Sequence, residues 1–188
     1  MRVLLRARWL LALLLLALSG WLLVVSQSTS ANATVAKQHL PQATLIGSGS
    51  FRWLGLKLYD ASLWAERANF NADQWQSAPL ALELNYARTL EGRRIAEASV
   101  DEMKKLGIGS ATQHKSWGEA MKQVFPDVDK TTQLTGVYLP GKGCQFYVDG
   151  KLQHEVDDPA FARAFFSIWL DPQTRSPKLR AALLGLNP

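Results

Sequence analysis

Residues 80–86 run Leu-Ala-Leu-Glu-Leu-Asn-Tyr, with an apolar side chain at every second position. A period of two marks a β-strand with one face on a core, because successive side chains leave a strand on opposite sides. Leu80, Leu82, Leu84 and Tyr86 take the inner face, and Ala81, Glu83 and Asn85 the outer, so a half-buried strand is expected. The period then changes. Over residues 91–106, Ile95, Ala98, Ser99, Met103 and Leu106 fall on one stripe of a helix, and Gly107 suits its C-terminal stop. A chain that switches period within a few residues must pack a helix against a sheet.

The same reading extends along the chain. Residues 43–66 hold two strands with Leu54-Gly55 near the turn between them. Trp117, Ala120, Met121, Val124 and Phe125 give a second helix, ended by Pro126. Residues 131–156 form three short strands broken at 140–143 and at Asp149-Gly150, a two-residue hairpin signal. Asp158 caps the next helix, with Pro159 at its first position. Phe161, Ala164, Phe165, Ile168 and Trp169 form its apolar face. Phe166 lies off that stripe and is expected at a cleft or the surface. A short last helix restarts at Ser176-Pro177. Helices segregated from a mostly antiparallel sheet make the fold α+β.

The N-terminus follows different rules. Arg2, Arg6 and Arg8 precede an apolar run over residues 9–25, and an A-x-A site follows at Ala31-Asn32-Ala33. Residues 1–33 therefore read as a signal peptide or, if uncleaved, as an N-terminal membrane anchor. Either reading places the remainder outside the cytoplasm, periplasmic or exported, with membrane association through residues 9–25 in the anchored case. Residues 34–40 read as the end of a linker and 41–188 as one domain. Setting those three arginines aside leaves 18 basic residues against 16 acidic ones, a net of +2. So weak a charge leaves no footprint for nucleic acid.

The side chains that usually carry chemistry are sparse. The one cysteine, Cys144, has no intrachain partner, and its reading is a small buried hydrophobe or a lone exposed thiol. His39, His114 and His154 are scattered, so neither a metal site nor a cofactor is expected. Gly47-Ser48-Gly49 lacks the lysine and helix start of a phosphate loop, and its small residues suit close packing. One residue calls for an explanation. Arg52 stands among Phe51, Trp53 and Leu54, and a guanidinium in such company needs an anionic or hydrogen-bonded partner. That partner is a ligand carboxylate, or else Glu83, Asp60 or a backbone carbonyl, unless Arg52 lies at the sheet edge and needs none.

Four blocks, within residues 47–64, 82–107, 134–151 and 161–185, resemble the bacterial branch of the chalcone isomerase-like family. The last is the most specific, pairing an aromatic helix with a D-P break and an S-P-x-L-R restart. The resemblance implies an open-faced β-sandwich, in which a large antiparallel sheet carries helices on one face with a ligand cleft between. Plant members of the family close a flavonoid ring, using an arginine with threonine, tyrosine, lysine and asparagine side chains. A sister branch lacks that activity and holds a fatty-acid carboxylate with the same arginine and a tyrosine.

Carried over by position, the arginine corresponds to Arg52 and the first threonine to Tyr59. Glu91 and Arg94 stand where the family has tyrosine and lysine, Ala98 where it has asparagine, and Ser167 or Ile168 at the second threonine. Ring closure needs a held near-attack geometry and a stabilised oxyanion, and half of the positioning groups are replaced. The expectation is a non-catalytic protein that binds a small amphipathic acid such as a fatty acid, with Arg52 and Tyr59 as ligand-binding residues. The alternatives are an isomerase or intramolecular lyase on an enone, and a membrane-associated structural or partner-binding protein.

Overall fold

The computed structural model describes residues 34–186; the expected signal or anchor over 1–33 lies outside the described residues. Six strands form one antiparallel sheet in sequence order: β1 Thr44–Trp53, β2 Leu56–Ala65, β3 Leu80–Tyr86, β4 Gln133–Leu139, β5 Gly143–Val148 and β6 Lys151–Val156. The helices are α1 Thr34–His39, α2 Gly92–Lys105, α3 Ala111–Val124, α4 Pro159–Leu170 and α5 Pro177–Leu183. A short 3-10 helix, Ala72–Ser77, connects β2 to β3. This is the α+β open sheet that the periods called for.

Local chemistry sets the boundaries. Both central residues of each tight hairpin turn have positive φ: 48° and 80° at Leu54-Gly55, 49° and 79° at Asp149-Gly150. That is the turn whose twist matches two antiparallel strands. Helix α3 begins with a reciprocal capping box between Ser110 and Gln113. Helix α4 begins at Asp158, whose carboxylate accepts the N–H groups of Ala160 and Phe161 at 2.8 and 3.0 Å. The same carboxylate accepts the indole N–H of Trp117 at 2.9 Å, which ties α3 to the start of α4.

The core lies between the sheet and α2–α5. Phe146 of β5 is fully buried, with the rings of Phe125, Phe161 and Phe165 around it at 5.0–6.3 Å. Each such phenyl contributes about 2 kcal/mol by leaving water. Phe166, expected at a cleft or the surface, is fully buried instead. Its ring lies over Gly136 of β4, where a Cβ would come within 3.1 Å of it. The glycine opens a hollow that turns an off-stripe residue into core. Gly47 acts similarly for α5: a Cβ there would stand 1.9 Å from the Ala182 carbonyl oxygen.

Two further expectations are corrected. Residues 34–40, read as linker, are helical through His39 and bury Val35, Ala36 and Leu40 against Ala81, Val137 and Tyr147 on the outer face of the sheet. The Tyr147 hydroxyl bonds His39 and also donates to Gln145. Helix α1 therefore covers part of a face expected to be open, and β3 is buried on both sides from Leu80 to Leu84. The stripe of α2 is also rotated. Ala96 and Val100 are core, whereas Ile95 is half-buried and Ala98 exposed, because those two turn toward a cavity.

Candidate functional site: an aromatic cleft with a charged rim

A cavity of about 540 Å³ opens between one end of β1–β3 and helices α2 and α4. Its floor follows from strand register. Phe51 pairs with Tyr59, and Tyr59 with Tyr86, so three aromatic rings cross three strands on the helix-facing side. Phe51 stacks on Tyr59 at 5.1 Å, and Tyr86 meets Tyr59 edge-on at 5.8 Å. Leu84 and Leu134 continue the floor, Ile95 and Ala98 line the α2 wall, and Phe165, Ile168 and Trp169 the α4 wall.

Polar groups inside the cleft are few and placed. The Trp169 indole N–H donates to the Tyr59 hydroxyl at 3.0 Å. The hydroxyl protons of Tyr59 and Tyr86 find no acceptor among the described residues, while Ser99 and Thr174 spend theirs on the carbonyls of Ile95 and Ile168. Burial pushes the pKa of Tyr59 well above the ordinary tyrosine value, and that of Tyr86 likewise. Both phenols are therefore neutral at physiological pH. They are equipped to donate hydrogen bonds to a ligand, and not to act as bases.

The rim is charged. Glu102 accepts from Lys105 at 2.9 Å and from Arg175 at 3.0 Å, tying the connection before α5 to α2 across the mouth. Arg94 pairs with Glu91 at 3.3 Å, and Arg175 lies 6.0 Å from the Trp53 ring centroid. Arg52 differs from these. It is exposed on the cleft wall, and Nη1 donates only to the Gly55 carbonyl, at a long 3.3 Å. No carboxylate pairs with it among the described residues. Asp60 feels its charge from further off and is bonded instead to Lys57 and Ser50, which hold its carboxyl below the usual range.

Arg52, Tyr59, Arg94, Ala98 and Ile168 thus all face the cleft. Glu91 does not line it, and Ser167 turns away into a separate cavity beside Arg163 and Arg180. Sequence reasoning missed Tyr86. The signal was present, since it ends the inner face of the alternating strand with a polar tip, and a buried tyrosine hydroxyl needs a partner. Phe165 and Trp169, on an aromatic face that could be read as core or as cleft lining, are core on one side and cleft wall on the other. Cys144 is buried, and burial pushes its thiol well above the ordinary value, which leaves it inert.

An antiparallel meander with helices enclosing an aromatic cleft defines the class: an open-faced sandwich with an internal cavity. The chain belongs to the chalcone isomerase-like family, whose sequence profile matches residues 25–185. An uncharacterized protein of Haemophilus influenzae is 29% identical over 140 residues, 74% of this chain and 67% of that protein. The crystal structure of a fatty-acid binding protein of Arabidopsis thaliana shares the fold, with a TM-score of 0.57 and 17% identity over 76% of this chain and 87% of that one.

Proposed function

We propose that this protein binds a small amphipathic acid, its apolar tail in the cleft and its carboxylate at the mouth near Arg52. The observation that carries the reading is the division of the cavity. Among the described residues, the interior is aromatic and aliphatic with two unspent phenol donors, and the rim holds a guanidinium with no carboxylate partner. A cavity of about 540 Å³ lies within the usual range for small-molecule sites. Burial of the tail supplies most of the affinity, and Arg52 with the Tyr59 or Tyr86 hydroxyl fixes the head. The fatty-acid binding relative has the same fold and is consistent with this ligand class.

We place the protein outside the cytoplasm on the strength of residues 1–33, and read it as a carrier or sensor. The test is calorimetric titration of the full chain with saturated fatty acids of increasing length. Saturable binding that strengthens with length and is lost in Ala98→Trp, which plugs the cleft from α2, is expected. Unsaturable uptake, or binding unaffected by the plug, would place the ligand elsewhere. A second reading, an isomerase on an enone, draws on the two neutral phenols, which can polarise a carbonyl. It requires turnover of an enone substrate that disappears in the Tyr59→Phe, Tyr86→Phe double variant.

A further inference from the structure

The two tight hairpins of this sheet use the same turn with opposite chemistry. At Asp149-Gly150 the first left-handed position holds aspartate, which tolerates it and whose carboxylate accepts the Gln133 N–H at 2.9 Å. At Leu54-Gly55 the corresponding residue is leucine, with φ 48° and 84% of its surface exposed. Leucine there carries two penalties, a backbone conformation that favours Asn, Asp or Gly and an apolar side chain in water. Trp53 and Leu56, which flank the turn, are also about half exposed, at 49% and 48%. Half of the large exposed apolar residues among those described fall on this one tip. Strain and exposure coinciding at one residue point to a role outside the folded chain.

We propose that the β1–β2 hairpin tip docks on an anionic lipid bilayer, with Leu54 inserted and Trp53 at the interface. The shape argues for lipid over protein. Trp53, Leu54 and Leu56 cap the end of a two-stranded ribbon and offer far less than the roughly 800 Å² per side of a stable protein interface. A bilayer needs no complementary surface, and an aromatic ring beside aliphatic side chains suits the headgroup boundary. The charges agree. Arg52 and Lys57 flank the tip on its two strands and Arg175 lies against Trp53, so cations ring the apolar residues at headgroup depth. Lys57 and Arg175 are engaged by Asp60 and Glu102, which leaves Arg52, when no cleft ligand occupies it, as the cation freest to take a lipid phosphate. Phe51, Arg52 and Trp53 also line the cleft, so a docked tip sets the cavity mouth against the membrane.

The experiment labels the full chain with an environment-sensitive fluorophore at Leu54→Cys or, on the strand after the other hairpin turn, at Lys151→Cys. Each protein is mixed with vesicles of phosphatidylglycerol and phosphatidylethanolamine, or of phosphatidylcholine alone, and aqueous iodide quenching is read. The expected result is a blue shift and an about fivefold loss of quenching at position 54 on the anionic vesicles, with position 151 unchanged and a weaker effect on phosphatidylcholine. Attachment through residues 9–25 would persist in Leu54→Asn, so loss of protection at the tip in that variant separates the two modes. A companion label at Leu56→Cys should lose its protection when Leu54→Asn is added, with no fall in melting temperature. The proposal is overturned if position 54 stays fully quenched on vesicle-bound protein. It is equally overturned if position 54 is protected without vesicles, which would indicate a protein contact, or if both positions are protected alike. None of these outcomes depends on what the cleft binds.

Discussion

Replacing Arg52 with alanine separates the two halves of the binding account. The guanidinium is exposed at the rim, so its pair with a ligand carboxylate is screened by water and contributes about 1 kcal/mol, or about fivefold in affinity. The cleft interior acts differently, since each methylene moved from water into it contributes about 0.8 kcal/mol, or about fourfold. Arg52→Ala should therefore weaken every fatty acid by one common factor and leave the slope of affinity against chain length unchanged. One or two added methylenes should restore what the substitution removes. The alcohol of equal length should bind wild type and variant alike, because it carries no charge for Arg52 to meet. Calorimetric titration of matched acids and alcohols reads both quantities. Equal weakening of acid and alcohol would show that Arg52 acts by holding the Gly55 carbonyl and shaping the turn. No change for either would remove it from the site.

Further predictions concern the frame around the cleft. Asp158→Ala should cost about 2 kcal/mol, because it removes the cap of α4 and strands the Trp117 indole N–H, read by denaturant unfolding. Burial raises the Asp158 pKa, but hydrogen bonds from Phe161, Trp117 and Ala160 outweigh it and hold the carboxyl below its ordinary 3.8. Its contribution is thus present above that pH and fades as pH falls through the folded value, so the variant's deficit should narrow in acid. Glu83 is shifted the other way, upward by burial beneath the outer face despite a hydrogen bond from Asn85. Stability is therefore lost as pH rises through its folded value, and Glu83→Gln should raise the melting temperature at neutral pH but not well below pH 4.5. Gly47→Ala should push α5 off β1 at a cost of about 1–3 kcal/mol, measurable in the same unfolding assay.

The strands, the four later helices and the hairpin turns were legible because each is written in local period and turn chemistry. Leu80–Tyr86 alternates, α2 changes period, and Asp158-Pro159 caps α4. What escaped were features set by partners distant in sequence. Helix α1 carries few apolar residues and reads as linker until Ala81, Val137 and Tyr147 are seen waiting beneath it. Phe166 belongs to no stripe, and only the missing side chain of Gly136 gives it a place. The cleft was the least legible part. An apolar residue facing a cavity and one facing a core obey the same period, so Ile95, Phe165 and Trp169 could not be divided between the two from sequence. Arg52 stood out for a different reason, as a charged group in an apolar strand, and Tyr59 only through its place in the family resemblance; both line the cavity.

An amphipathic acid held in the cleft in the living cell should stay with the protein through a gentle purification. Native mass spectrometry of the protein, purified without detergent from the cells that make it, is the decisive measurement. The expected result is a bound mass that releases a fatty or similar amphipathic acid on denaturation and is absent from Ala98→Trp. A ligand-free mass that stays so when saturated fatty acids are added would contradict it.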